Sequence, residues 1–234
     1  MVRVTGETRD PLAHDPTGDG VVQLADNTAL TALRTIALDV ETTGLDPLRD
    51  RLLEVGLAVP AGVVAQAVVS DPAWTGAGDA AEVSRIPAEL TRNGVPLPAV
   101  LGMVRDAIQP GGDAGAVVVG QNIGFDLAFL AAAGGDWVAG VPAVDLVSCG
   151  RLVWPGERVR LEDVCARLGV QPGGHRAGAD ALAEALCWAA MIPLLLKRGV
   201  CTWGEMCRTT VPVPLRYPRP PWPARVQRAL RHPA

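Results

Sequence analysis

Residues 36–44 read Ile-Ala-Leu-Asp-Val-Glu-Thr-Thr-Gly, and the fold turns on this stretch. Ile36, Ala37 and Leu38 are apolar, Asp39 and Glu41 follow at i,i+2 spacing, and Thr42, Thr43 and Gly44 stop the run. Strand side chains alternate between faces, so on a strand the two carboxylates share one face while Val40 takes the other. Acids side by side at a strand end repel each other and are costly to desolvate unless cations neutralise them. The pair is therefore a candidate site for a divalent metal with oxygen ligands. Taken alone, D-x-E more often marks a strand that ends in solvent before a polar turn, and the rest of the chain has to separate the two readings.

Working outward, residues 51–59 (RLLEVGLAV) and 63–70 (VVAQAVVS) are apolar segments joined by Pro60-Ala61-Gly62, a turn of hairpin kind. Three strands in succession with short links predict a local antiparallel meander. Residues 71–98 are rich in turns, with short helices expected at 80–84 and 87–92. Leu97–Ile108 places Leu97, Val100, Leu101, Val104 and Ile108 at three-and-four spacing, an amphipathic helix ended by Pro110-Gly111-Gly112. The apolar run 116–120 (AVVVG) predicts a central strand, and 125–133 a helix after it, which is the pattern of a mixed sheet with helices packed on it. A short strand near Val144, a short helix at 147–153, an amphipathic helix over Leu161–Leu168 and a long Ala/Leu-rich helix over 177–196 complete the series.

Composition bounds the rest. The 234 residues are 49% hydrophobic with mean hydropathy +0.23 but only 4% aromatic, so one substantial core is built from Val, Leu, Ala and Ile. A net charge of −4 and a pI near 5.4 exclude a broad basic nucleic-acid-binding face, though not an enzyme that meets phosphates through metal ions. Five scattered cysteines without a C-x-x-C pair read as reduced intracellular thiols, with Cys149, Cys165 and Cys187 in the core, and make structural zinc an unfavoured reading. The N-terminus lacks an apolar signal region and no run of 18 apolar residues occurs, so the expectation is a cytoplasmic protein without a membrane span.

The chain divides into an acidic lead-in at 1–33 with one short edge strand expected at 20–24, a folded domain at 34–200, and a segment at 201–234. After Met206 that segment has six arginines, seven prolines and no acid. Its prolines keep it extended, with a short helical piece expected at 224–230. Three occupants fit it: a nucleic-acid backbone met by the arginines, a protein partner met through Trp222, Val226 and Leu230, or the domain itself, strapped by alternating Val211, Val213, Leu215 and Tyr217.

Four acids and a histidine fall at the edges of these elements. Asp39 and Glu41 end the first strand, Asp126 in GQNIGFD begins the helix after AVVVG, and Asp180 in HRAGAD begins the long helix, with His175 in the loop before it. Helix starts beside strand ends are where crevices form in an α/β domain. Brought together, the acids suit two divalent cations about 3.5 to 4 Å apart, and hard Mg²⁺ or Mn²⁺ matches carboxylate ligation better than zinc. His175 beside them has the chemistry of a general base, since an imidazole titrates near neutrality. Each residue alone has an ordinary reading, Asp126 and Asp180 as first-turn acids favoured by the helix dipole and His175 as a loop residue or cap.

The stretch DVETTGLDPLRDRLLEVGLAV resembles the first motif of the DEDD superfamily of 3′–5′ exonucleases, GQNIGFDLAFL the second, and HRAGADALAEALC the third, in its H-x-x-x-x-D variant. Over residues 35–196 the chain is similar to the proofreading epsilon subunits of bacterial replicative DNA polymerase and their ribonuclease T and oligoribonuclease relatives. The resemblance implies a ribonuclease H-like fold, a five-stranded mixed sheet flanked by helices whose first three strands are antiparallel. It implies that Asp39, Glu41 and Asp180 hold the metals, that Asp126 completes the site partly through water, and that His175 is the general base. It also implies that the backbone of Thr42, Thr43 and Gly44 approaches the terminal nucleotide, that Leu45 wedges against the last base, and that Asn122 and Phe125 belong to the substrate-binding set. By residue type alone Phe125 and Leu127 are core anchors and Leu45 is as well suited to burial. Gln121 stands where many relatives carry histidine, which implies a repacked loop.

The activity so implied is release of nucleoside 5′-monophosphates from the 3′ end of single-stranded DNA. RNA as the substrate, a non-catalytic module that binds nucleic acid or a polymerase, and a phosphohydrolase of free nucleotides are the alternatives. The resemblance also favours a DNA polymerase subunit as the partner of the C-terminal segment.

Overall fold

The structure is a computed structural model that describes residues 24–77, 79–109 and 115–210. The edge strand expected at 20–24, for all but its last residue, and the segment from Val211 onward lie outside them. Five strands, β1 (Thr35–Thr42), β2 (Leu52–Val59), β3 (Gly62–Val68), β4 (Val117–Gly120) and β5 (Ala143–Asp145), form one sheet in the order β3-β2-β1-β4-β5. β1 pairs antiparallel with β2, and β2 with β3, while β1 with β4 and β4 with β5 are parallel. This is the mixed sheet anticipated from the meander and the AVVVG run, and its five strands with the first three antiparallel match the ribonuclease H-like fold that the resemblance implied. The helices are α1 (Asp79–Ser84), α2 (Ala88–Arg92), α3 (Leu97–Ile108), α4 (Gly124–Ala132), α5 (Leu146–Val153), α6 (Leu161–Leu168), α7 (Ala177–Lys197) and α8 (Trp203–Thr209).

Alternation along β1 divides the core. Ile36, Leu38 and Val40 point to a layer formed by Val100, Val104 and Ile108 of α3 and Leu127 and Leu130 of α4. Ala37 points the other way, where with Ala58 of β2 it meets Ala181 and Ala185 of α7. Small residues on both sides bring α7 close to the sheet. At Gly56 of β2 the approach is tightest, because a Cβ there would strike the Ala177 carbonyl at the start of α7. Asp39 and Glu41 continue the Ala37 face, so the alternation that buries Ala37 against α7 aims both carboxylates at that helix's first turns.

A second core of Val117, Val119, Val144, Cys149, Val164, Cys165, Cys187 and Trp188 holds α5, α6 and α7 on the same side of the sheet as Ala37. Leu30 and Met206 are also buried in it. The short turn Leu30–Ala32 hydrogen-bonds to Cys201, and α8, closed by a Thr202/Glu205 capping box, packs beside it. The described fold thus extends from residue 24 through α8, on both sides of the 34–200 core. α7 is the one described helix long and apolar enough to cross a membrane. It lies across β1–β4 with Asp180 and Glu184 buried, as the core helix of a globular domain does.

Candidate active site

The crevice forms where β4 parts from β1. The two strands pair only from Thr35↔Val117 to Ala37↔Val119, so β1 continues past the end of its neighbour. The Val40 N–H is left without a strand partner on that side and donates instead to Asp126 Oδ1 at 3.0 Å. Asp126, 4% exposed, is held to the end of β1 by that bond, and α4 is positioned with it. The turn between β4 and α4 is fixed from the other side by Asp145, which accepts from the Asn122 N–H at 2.9 Å and caps α5.

Opposite, the loop before α7 folds onto Asp180. Oδ1 accepts from Gly173 N–H at 3.1 Å and Oδ2 from Arg176 N–H at 3.2 Å, leaving each oxygen a further lone pair. Gly174 and His175 are both left-handed, with φ of 78° and 63°, and this reversal carries the exposed imidazole back over the strand end. One ligand atom from each of Glu41, His175 and Asp180 lies within 4.8 Å of the others.

Two contributors were not anticipated from sequence. Glu54 of β2 sits directly across from Glu41 in the strand register, on the same face. It is fully buried, and Arg176 binds it with both arms of the guanidinium, Nε to Oε2 at 3.0 Å and an Nη to Oε1 at 2.6 Å. Gln66 Nε2 and the Ala177 N–H supply two more donors. This clamp fixes the residue next to His175 to the strand next to Glu41. The other is Glu184, one turn beyond Asp180 on α7 and 1% exposed, whose Oε1 accepts from the Gln121 N–H at 2.8 Å. The i,i+4 spacing from Asp180 was the available signal for Glu184, and the β1/β2 register was the signal for Glu54.

The electrostatics are those of crowded, uncompensated acids. Burial, followed by the charges of Glu184, Asp126, Glu41 and Asp180, holds the Asp39 carboxyl well above its ordinary range. Burial raises Asp126 as well, against hydrogen bonds from its own backbone and Val40 that lower it. Glu41 is pushed up to about 7, first by burial and then by Asp180 and Glu54, with Arg176 opposing. Glu54 goes the other way: burial raises it, but hydrogen bonds from Arg176, Gln66 and Ala177 outweigh that and hold it below the usual range. The acids around Asp39 therefore lack positive charge while Arg176 is committed to Glu54. All their donors are oxygens, and this combination fits hard divalent cations such as Mg²⁺ or Mn²⁺.

The remaining anticipated residues lie at the end of β1, in the loop after it and around the β4–α4 turn. Thr42 Oγ1 donates to the Gly44 carbonyl at 2.6 Å, and Thr43 and Arg51 exchange hydrogen bonds of 2.9 Å that close the loop after β1. Leu45 at its tip is 84% exposed, free to meet a ligand and outside any core. Asn122 is exposed in a left-handed conformation, φ 57°. Phe125 is half-buried with its ring 4.8 Å from that of Phe129, so it serves the core while presenting an edge outward. Gln121 packs inward and donates through Nε2 to the Val159 carbonyl. Trp74 is buried with its Nε1–H on the Ile86 carbonyl.

No family model matches the chain. In sequence it is similar to the PolC-type DNA polymerase III of Thermotoga maritima, 26% identical over 196 residues, and to that of Thermotoga petrophila, 27% identical over 188. These alignments take in 78% and 73% of this chain but only 14% and 13% of the relatives, so it corresponds to a small part of their length. In fold it is similar to E. coli Exonuclease I in complex with a dA16 oligonucleotide, at TM-score 0.55 and 16% identity, over 71% of this chain and 41% of that one. It is likewise similar to Exonuclease X in complex with 5′ overhanging duplex DNA, at TM-score 0.53 and 18% identity, over 76% of this chain and 99% of that one. The chain thus has the ribonuclease H-like fold of Exonucleases I and X, as the resemblance implied, and its sequence is similar to part of a PolC-type DNA polymerase III.

Proposed function

We propose that this protein is a metal-dependent 3′–5′ exonuclease that hydrolyses the terminal phosphodiester of single-stranded DNA and releases nucleoside 5′-monophosphates. The observation that supports the reading is the group Glu41, His175 and Asp180, whose ligand atoms lie within 4.8 Å of one another, beside Asp39, which feels the charges of Asp126, Glu41 and Asp180, and Asp126, bonded to the Val40 N–H of the same strand. Asp39, Glu41, Asp126 and Asp180 would hold two divalent cations, Mg²⁺ or Mn²⁺. Bound there, the ions supply Lewis-acid stabilisation of the charge that builds on the phosphate and on the departing oxygen.

The chain's own groups do the rest. His175, exposed and within reach of Glu41 and Asp180, accepts a proton from the attacking water as its oxygen bonds to phosphorus. The P–O3′ bond breaks, the upstream strand leaves with its 3′ oxygen protonated from solvent, and the released nucleotide keeps its 5′ phosphate. The Glu54–Arg176 clamp sets the His175 loop against Glu41. The loop of Thr42, Thr43 and Gly44 presents backbone to the terminal nucleotide, with Leu45 against its base and Asn122 and Phe125 on the facing side. DNA as substrate is supported by the dA16 oligonucleotide bound to Exonuclease I, by the 5′ overhanging duplex DNA bound to Exonuclease X and by the DNA polymerase III relatives, which also favour a DNA polymerase as partner and a cytoplasmic setting. Product analysis tests the reading. A 5′-labelled DNA strand should shorten one nucleotide at a time with 5′-mononucleotides appearing in step, whereas internal cuts or nucleoside 3′-phosphates would contradict it.

A further inference from the structure

Glu184 holds an oxygen that the fold leaves unused. Its carboxylate is 1% exposed, and Oε1 accepts from the Gln121 N–H, but Oε2 has no hydrogen-bond partner. A buried carboxylate with one bare oxygen is costly to maintain, and the expected remedies are a cation or a bridging water. Arg176 cannot supply the charge, because both of its arms are on Glu54. Glu184 stands one turn beyond Asp180 on α7, the helix whose Ala181 and Ala185 pack on Ala37 of β1. The charge of Glu184 acts on Asp39 together with those of Asp126, Glu41 and Asp180.

We propose that Glu184 is a fifth carboxylate of the metal centre, binding a divalent cation or its water shell through Oε2 while Oε1 fixes the Gln121 turn from which α4 and Asp126 start. This rests on the metal-dependent reading above. The two oxygens thereby have separate tasks: one completes the cation's surroundings from the helix side, the other couples that helix to the β4–α4 turn.

The test compares wild type, Glu184→Gln and Asp39→Asn by Mn²⁺ titration calorimetry on metal-free protein, with melting temperatures of the same samples. Gln keeps the volume and an acceptor for the Gln121 N–H and removes only the charge. The expected result for Glu184→Gln is Mn²⁺ affinity about 10- to 100-fold weaker, the size seen when a supporting group of a metal site is removed. Its metal-free melting temperature should be equal to or above that of wild type. Affinity within about twofold of wild type, while Asp39→Asn loses binding, would overturn the proposal and leave Glu184 a buried packing residue. A metal-free melting temperature more than about 5 °C below wild type would also overturn it, making any loss of affinity structural. Failure of wild type itself to bind Mn²⁺ would instead strike at the functional reading on which the proposal stands.

Discussion

Replacing Arg176 with methionine isolates the clamp that holds the His175 loop to the sheet. Glu54 is fully buried and has four donors, two from Arg176, one from Gln66 and one from the Ala177 backbone. The variant leaves it two neutral donors and no positive charge. Breaking a buried ion pair from one side costs about 3–5 kcal/mol. The Arg176 side chain is 39% exposed, which admits water to the site and puts the expected loss at the low end, about 2–3 kcal/mol. For a domain of this size that is a fall in melting temperature of about 4–12 °C. The pH dependence has a definite sign. Because the folded Glu54 is held below its ordinary value of 4.5, the clamp's contribution is present above that value and disappears as pH falls through the depressed one. The gap between wild type and Arg176→Met is therefore widest near neutrality and narrows toward acid. Thermal melts from pH 7 down to pH 3 check this, and Glu54→Gln/Arg176→Met should recover most of the loss. A fall under about 2 °C at pH 7, or a gap that widens as pH drops, would mean that the Arg176–Glu54 pair does not hold the loop to the sheet.

Asp39→Asn and Asp180→Asn should each abolish turnover while the metal-free protein stays folded, measured by single-turnover assays beside circular dichroism, because removing one of several repelling carboxylates relieves strain. His175→Ala should lower kcat about 10²- to 10⁴-fold with Mn²⁺ affinity nearly intact by calorimetry, the pattern of a lost base; loss of metal binding would make His175 a ligand. Glu41 is raised from 4.5 to about 7, so its favourable contribution is full below 4.5 and is lost as pH rises through about 7. The melting temperature of metal-free protein should accordingly fall across that window and be restored by Mn²⁺, as differential scanning calorimetry would show.

The parts legible in the sequence are those set by short-range chemistry. Period-two alternation in IALDVET and three-and-four spacing over Leu97–Ile108 and Leu161–Leu168 place β1, α3 and α6, and the four acids with His175 stand at element ends where a polar residue is conspicuous. The Glu54–Arg176 pair was hidden because it joins residues 122 apart and depends on a strand register that shifts between Glu41 and Thr42. Glu184 was hidden because an acid in the second turn of an alanine-rich helix is ordinarily a solvated one, and only the docking of α7 on Gly56 and Ala37 buries it. Residues 24–33 hold three leucines, three alanines and one acid without a clear period, and only the tertiary core shared with Met206 reveals that Leu30 is buried.

Metal-dependent removal of nucleotides from a DNA 3′ end can be read from a 5′-labelled single-stranded DNA and an RNA of the same sequence, each incubated with metal-stripped protein and again after adding Mn²⁺. Metal-stripped protein should be inert and, with Mn²⁺, a ladder should descend from the 3′ end of the DNA, absent in Asp39→Asn. Preference for the RNA would move the substrate assignment to RNA, and both strands intact with folded, Mn²⁺-replete protein would contradict the account.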